Sequence, residues 1–540
     1  MSAGRDVGCD SPAPLDESDN DYLPSSADET DDSCSSEQQT PETNNVLDDT
    51  KYIVFWSSLL RLFKLVRCSW CGETGLKVDH NTNGTMLLVH FQCGVCSLTT
   101  EWKSQPYIGK SLAGNIILSA GILMSGAVPS KVLKVLHHMR VAGISSRTFS
   151  RHQNMMLFPA IKHVWLENRK WLVASLQAER RGLMFGGDGR CDSPGHSAKF
   201  GSYAIMELVA KVIIDVELVQ CNEVPSSCHM EKEGLKRVMA FLSKEGLSID
   251  TMVTDRHVQV RKWMKENAPE VKHLFDVWHI AKGVKKKLLS LSKEKECHGI
   301  VQWMASIINH LYWCASCTPP RTARQTDTIT AKWTSILNHL VNIHVHDNPH
   351  FPSCAHAPLV GREARKQWFH PCTPAMVKLE KLVRSPALLR DMRQLSGQEQ
   401  TSSLEAFHSL LNHFAPKMYS FSYHGQLSRT LLADMHFNEN AGREQQRTAA
   451  GQARYAINFP KWKKGEYSVK KILKDPTYEY VREIMEVVVA QCTTSAKDRQ
   501  TPNIDQPPAL CAGVSHPAKD EAVALLQSRF AASNSSAVDV

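Results

Sequence analysis

Three short apolar runs near the middle of the chain each stop at a carboxylate: LMFGGD at Asp188, IDTMVTD at Asp255 and VKHLFD at Asp276. A buried strand whose C-terminal end opens onto a polar site leaves this trace, because the apolar residues pack and the first residue beyond them meets solvent or a ligand. Between the first two acids, YAIMELVA and KVIIDVELVQ alternate apolar and polar positions on either side of Lys211, as an antiparallel pair does. From Met230, EKEGLKRVMAFLSKEG sets Leu235, Val238, Met239 and Leu242 on one helical face and stops at Gly246. A strand to Asp255, an amphipathic helix from Val258, a strand to Asp276 and a helix from Ile280 complete the run.

Three strands, helix, strand, helix, strand is the order of a ribonuclease H-like mixed α/β sheet. Acids at its strand ends suggest a metal site. The pattern predicts the first part of such a core over 181–279, a helical insertion over 280–400, and the last part of the core with C-terminal helices over 401–490. The insertion carries the basic run Lys285, Lys286 and Lys287, which would contact DNA phosphates, act as a nuclear address, or form an ordinary solvated helix face. It also carries the aromatic-rich IVQWMASIINHLYWC and the Pro- and His-rich HVHDNPHFPSCAHAPL, where Cys314, Cys317, Cys354 and His356 are candidate ligands of a second zinc. Past it, Ser402 and Ser403 read as helix caps that place Glu405 in the first turn, with His408 and Asn412 on roughly its face. A first-turn Glu is also favoured by the helix macrodipole alone.

Upstream, CSWC and QCGVC present Cys68, Cys71, Cys93 and Cys96 as two knuckles 21 residues apart, with a hairpin turning at Asn83-Gly84 between them. Four thiolates satisfy tetrahedral zinc without an open position, so a four-cysteine zinc ribbon over 60–106 is expected, structural rather than catalytic. The helical stretch 107–180 turns at Gly143 and is capped by Ser145 or Ser146. It is a possible helix-turn-helix presenting Arg147, Arg151 and His152 to DNA, with a plain packing hairpin as the alternative.

Composition adds a partner. The chain has 540 residues and a net charge of +8, yet residues 1–50 carry 14 Asp and Glu against one Arg, a net −13 that leaves +21 on the rest. So basic a body implies a polyanionic partner, with a solvated, solubilising surface as the alternative for part of the charge. The leader 1–50 is too polar to bury a core and is expected to be disordered, as is most of the tail 491–540. No window offers the roughly 20 apolar residues of a membrane span, and nothing marks a secretory signal. Sixteen cysteines therefore read as thiols and metal ligands rather than disulfides.

On GGDGRCD, VTDRH, SSLEAFH and the DxxH motif Asp276-Val277-Trp278-His279, the sequence resembles the eukaryotic cut-and-paste DDE transposases. The similarity is to the Kolobok-like C/DxxH branch, related to the P element and hAT groups, or to host proteins derived from such enzymes. The resemblance covers about residues 180–445 and implies Asp188, Asp255 and Glu405 as the catalytic acids, separated by 67 and 150 positions. It departs from the branch in bearing a four-cysteine ribbon where many members have a THAP-type finger. Asp192 competes with Asp188 for the first place. Such acids hold two Mg²⁺ or Mn²⁺ ions about 3.5–4 Å apart for phosphodiester hydrolysis and strand transfer. Asp276, His279 and His257 are supporting candidates, His279 either meeting a phosphate or orienting Asp276, and Trp278 is a core residue. The resemblance also implies a nuclear homo-oligomer acting on DNA, with no small-molecule substrate. A catalytically silent, zinc-containing DNA-binding or chromatin-associated protein with the inherited fold is the alternative, and a protein-interaction scaffold a third.

Overall fold

A computed structural model of the chain describes residues 45–534 other than 195–196, 319–322, 361–366, 398–400, 462–464, 495–506, 511–514 and 516. The acidic leader up to position 44 and parts of the 491–540 tail thus lie outside the described residues. Helix α1 (Trp56–Phe63) precedes an antiparallel sheet of β1 (Lys77–Asn83), β2 (Met86–Gln92) and β3 (Thr99–Lys103) in that order. Asn83 pairs with Met86, so the hairpin turns on Gly84-Thr85, one residue later than expected, with Gly84 supplying the positive φ of 61°. Asn115 Oδ1 then accepts from Thr85 N and Oγ1 at 2.7 and 2.9 Å, fastening this hairpin to the next layer.

That layer is helical. After the short pair β4 (Tyr107–Ile108) and β5 (Ser111–Leu112) come α2 (Ala113–Met124), α3 (Pro129–His138), α4 (Ser146–His152) and, past one π-helical turn at 153–157, α5 (Phe158–Ala178). The large sheet follows: β6 (Leu183–Cys191), β7 (Phe200–Glu207), β8 (Val212–Gln220), β9 (Ile249–Thr254) and β10 (Lys272–Phe275), with α6 (Met230–Lys244) and α7 (Val258–Asn267) between them. Its spatial order is β10-β9-β6-β7-β8; β6, β9 and β10 run parallel, and β7 is antiparallel to both its neighbours. Lys211 makes the β7–β8 turn with φ 58°.

The sheet is covered on both faces. Leu235, Val238 and Leu242 of α6 and Val260 and Met264 of α7 pack on Phe185, Ile205 and Met252. Truncating one such fully buried leucine to alanine costs about 2–5 kcal/mol. On the other face Ile116, Phe158 and Ile161 share a core with Met206 and Ile213 of the sheet and with Phe407, Leu431 and Ile484 from α14 (Ser402–Phe414), α15 (Tyr423–Asn440) and α16 (Glu479–Thr493). Helices α2 and α5 are therefore a wall of the central core, while α3 and α4 pack beside α2 in a small cluster of Ile122, Ile144 and Phe149.

The insertion has a core of its own, built by α8 (Val277–Leu291), α9 (Ile300–Cys317), α10 (Ala323–Thr334), α11 (Ile336–Leu340), α12 (Pro374–Val383) and α13 (Pro386–Met392) around Leu288, Trp303, Ile307, Trp333 and Leu379. Its return leg comes back to the sheet: Phe275 N donates to Gln394 O at 2.7 Å and Ser396 N to Phe275 O at 2.8 Å. The chain after the insertion thereby re-enters beside β10, next to Asp276. A strand pair, β11 (Tyr455–Asn458) and β12 (Ser468–Lys471), and the terminal α17 (Lys519–Asn534) complete the described elements. Among the described residues no helix is long and apolar enough to cross a membrane.

Candidate metal centres and the acidic cluster

Strand register sets the acids side by side. Gly186 pairs with Val253 and Thr254 with Phe275 along parallel strands, so extending the register puts Asp188, Asp255 and Asp276 abreast on β6, β9 and β10. Neighbours at such positions are about 4.8 Å apart across the ladder. Alternation turns all three toward the face that holds Val253 and Leu274, the one α14 covers. Arg190, also on that face, is buried and donates through Nη2 to Asn412 Oδ1 at 2.6 Å and Ala415 O at 2.9 Å, clamping α14 to β6. His408 Nδ1 consequently stands 3.4 Å from Asp188 Oδ2, one helical turn after Glu405.

The charges sense one another. Burial pushes Asp188 up, but the His408 hydrogen bond and charge, His279 and the Gly189 N–H outweigh it and hold the carboxyl below its ordinary range. Glu405 is raised, by burial first and then by Asp276 and Asp188, against the relief of His279 and Lys282. A fifth acid, which the sequence did not single out, is coupled to these: Glu231, at the start of α6, is pushed up to about 8 by burial, Asp255 and Asp188. Its trace lies in the glycines around Asp188. A Cβ on Gly189 would come 2.7 Å from Glu231 Cγ, and one on Gly187 2.3 Å from Tyr203 Oη, so GGDG is the width these neighbours need. Tyr312 of α9 closes in as well, raised to about 12 by burial, Asp276 and Glu405.

The acids differ in how their oxygens are used. Asp276 is 1 % exposed and fully engaged: Oδ1 accepts from Trp278 N at 2.8 Å, capping α8, while Oδ2 takes both Thr401 N and Thr401 Oγ1. This cap starts α8 at Val277 rather than Ile280. It also makes Thr401, not Ser402 or Ser403, the residue preceding α14, with its hydroxyl committed to Asp276. Asp276 thus braces the two helices. His279 lies instead within electrostatic reach of Asp188 and Glu405. Asp255 accepts from His257 N at 2.8 Å, whereas the side chains of Glu231 and Glu405 have no hydrogen-bond donor among the described residues. Asp192 stands aside, closing the β6–β7 turn by accepting from Lys199 N at 3.1 Å.

Among the described residues, two groups bring four ligand atoms within 4.8 Å of one another, and no three from the acidic cluster do so. The first group is Cys68, Cys71, Cys93 and Cys96, which can hold a metal ion such as zinc. Cys68 Sγ is 3.5 Å from Cys96 Sγ, and Cys71 Sγ 3.5 Å from Cys93 Sγ. In each knuckle the residue after the second cysteine, Gly72 or Ser97, is left-handed at φ 75° or 58°, folding backbone N–H groups onto the sulfurs. Those of Cys71 and Trp70 bring Cys68 down to about 6, and those of Cys96 and Val95 lower Cys93. The Glu73 N–H favours a Cys71 thiolate, but burial and the adjacent thiols push that group up to about 12. The second group corrects an expectation: Cys354 and His356 meet His339 and His344, not Cys314 and Cys317. Cys314 is wholly buried in the insertion core beside His310, and Cys317 is exposed at the end of α9.

Of the basic candidates, Arg147 and Arg151 are exposed on α4, which Ser145 caps by accepting from Thr148 N at 3.1 Å. His152 is instead buried, 2.9 Å from Ser119 Oγ, so it packs the helix and presents nothing. Lys285, Lys286 and Lys287 are exposed on α8. The fold and sites define a mixed α/β protein with a five-stranded mixed sheet, many helices and a four-cysteine cluster near its start. No family model matches the chain, and no curated protein matches it in sequence.

Proposed function

We propose that this chain is a DNA transposase, or a protein derived from one, whose Asp188, Asp255 and Glu405 bind divalent Mg²⁺ or Mn²⁺ for phosphodiester hydrolysis and strand transfer. The observation that carries the reading is the alignment of Asp188 with Asp255 on adjacent parallel strands beneath the helix bearing Glu405 and His408. The strand order β8-β7-β6-β9-β10 with one antiparallel member supports a ribonuclease H-like core. The donor set suits hard cations, since every acid offers oxygen. When bound, a pair of such ions supplies an activated water or 3′-hydroxyl and neutralises charge at the leaving oxygen. The chain's own residues do the rest. His408 orients Asp188, while Asp276 and Thr401 fix α14. Lys282, beside Glu405, offers positive charge to a phosphate, and His279 a ring N–H.

The partner in this reading is DNA, neutralised by the +21 body through Arg147, Arg151 and Lys285 to Lys287. The four-cysteine ribbon holds structural zinc, and the protein works in the nucleus as a homo-oligomer, because joining two DNA ends requires two active sites. The spacing of the acids, wider than a single-ion site, favours a second reading in which the same fold binds DNA without cutting it.

Nicking of supercoiled plasmid and of pooled genomic fragments in Mn²⁺ separates the two. The first reading expects cleavage abolished by Asp188→Asn or Glu405→Gln, with DNA binding unchanged. Salt-sensitive DNA binding without Mn²⁺-dependent cleavage leaves the second, and absence of both eliminates the two together.

A further inference from the structure

The insertion contains a four-ligand constellation that the acidic chemistry does not use. His339, at the end of α11, and His344, Cys354 and His356, on the loop that follows, bring their ligand atoms within 4.8 Å of one another. We propose that these four residues form a second zinc site, independent of both the ribbon and the acidic cluster, which fastens the loop before α12 to the helices of the insertion.

Two edges of the group are close to those of a zinc tetrahedron. With Zn–N of about 2.0–2.1 Å and Zn–S of about 2.3 Å, tetrahedral geometry gives N–N edges of about 3.3–3.4 Å and N–S edges of about 3.5–3.6 Å. His356 Nε2 lies 3.4 Å from His339 Nδ1, and Cys354 Sγ lies 3.7 Å from the same nitrogen. The two histidines, separated by four residues, fall in the range of structural zinc motifs, whereas the cysteine and histidine separated by one are closer than that range.

The outer hydrogen bonds choose the ring nitrogens. His356 Nδ1 donates to Ala357 O at 2.8 Å, which leaves the Nε2 lone pair facing the cluster. His344 Nε2 donates to Asn342 Oδ1 at 3.0 Å, and its Nδ1 is buried with no hydrogen-bond partner among the described residues. His344 Nδ1 thus brings a buried lone pair without a donor into the group, an arrangement packing alone disfavours and a cation satisfies. Asn338 Nδ2 donates to His346 Nδ1 at 3.2 Å, so His346 carries its proton on Nε2 and offers it to Cys354 Sγ at 3.3 Å. That bond stabilises the thiolate a zinc ion requires.

The surroundings explain what the ion would do. Between Leu340 and Pro374 the described chain has neither helix nor strand, only the isolated bridge between Val345 and Ser353. Loops of this length in a compact domain need something to hold them. Trp368 sets its edge against His339 and His344 at 5.6 and 5.9 Å and stacks obliquely on the buried Trp303 at 5.1 Å, so the ion would lock a seam between loop and helix α9.

The test is metal stoichiometry and ligand type on the full chain. Wild-type protein is expected to hold two zinc ions, Cys354→Ala/His356→Ala one, and Cys68→Ser/Cys71→Ser one. Cobalt loaded into the ribbon variant should give tetrahedral ligand-field bands with charge transfer from a single thiolate, lost on adding His339→Ala. X-ray absorption at the zinc edge of the wild type needs no variant and should show imidazole nitrogen alongside sulfur. A sulfur-only shell, or a Cys354→Ala/His356→Ala protein with undiminished zinc, overturns the proposal.

Discussion

Asp276 looks like a third member of the acid row, yet its bonds make it a brace, and the difference is measurable. Asp276→Asn keeps the cap on Trp278 N but turns an amide NH2 toward Thr401 N and Thr401 Oγ1, both buried donors. Losing charge-assisted hydrogen bonds of this kind costs about 1.5–3 kcal/mol. Thr401→Val removes one of the same donors and costs a similar amount. Because both substitutions break one shared contact, the double variant should fall short of the sum by about 1–2 kcal/mol. Urea unfolding gives the cycle, and hydrogen exchange of peptides over 277–284 and 402–408 locates the loss at the starts of α8 and α14. Mn²⁺ affinity should weaken far less than in Asp188→Asn or Asp255→Asn. Additive stabilities, or an Asp276→Asn protein that loses Mn²⁺ as completely as Asp188→Asn while unfolding normally, would refute the brace.

Three further outcomes follow from the same geometry. Glu231 is protonated below about 8, so a cation must expel that proton; Mn²⁺ affinity should rise with pH and level off above 8, lying about tenfold below its plateau at pH 7. Glu231→Gln should flatten that rise, and an unchanged pH profile by calorimetry removes Glu231 from the site. Cys93→Ser, or a chelator, should open β1–β3 to hydrogen exchange while β6–β10 stay protected, because the ribbon's own core is only Phe63, Val89 and Phe91 with their neighbours. Gly109→Ala should destabilise by about 2–4 kcal/mol in thermal unfolding: φ is +58° there, and a Cβ would sit 2.0 Å from the backbone carbonyl oxygen of Cys492, which cannot turn away as a side chain would.

Much of this was legible in the chain, and what was not has a physical reason. Strand ends at Asp255 and Asp276, and the helices beginning at Met230 and Val258, follow from apolar period and turn residues alone and emerge within a residue, whereas β6 runs through Asp188 to Cys191 because its pairing with β7 continues past the acid. The four-cysteine cluster emerges because its spacing is local. Glu231 did not, because a Glu in a first helical turn is ordinary; only the crowding at Gly189, on a different element, reveals it. The insertion cluster was half visible. Cys354 and His356 stood out, but thiol counting supplied Cys314 and Cys317, whereas Cys314 is buried in the insertion core against His310, 11 residues along α9 from Trp303. His339 and His344 were hidden in a histidine-rich run whose fold only tertiary packing selects.

The acidic cluster itself favours a cation over an inert inherited fold. Carboxylates taken from water need donors or countercharges, and without them burial disfavours the charged form. Asp276 has its donors and Asp188 has His408, but Glu231 and Glu405 have no hydrogen-bond donor among the described residues and are raised together by burial and by the other acids. Glutamine at either position would relieve that repulsion at nearly constant volume, so stability alone gives no reason to keep these acids within electrostatic reach of one another. A divalent ion does, since it reverses the sign of every one of these interactions. The arrangement at Asp188 agrees: Gly189 is bare where any side chain would displace Glu231, so the strand accepts the conformational freedom of a glycine in order to keep an acid that the fold, without a ligand, is better off losing.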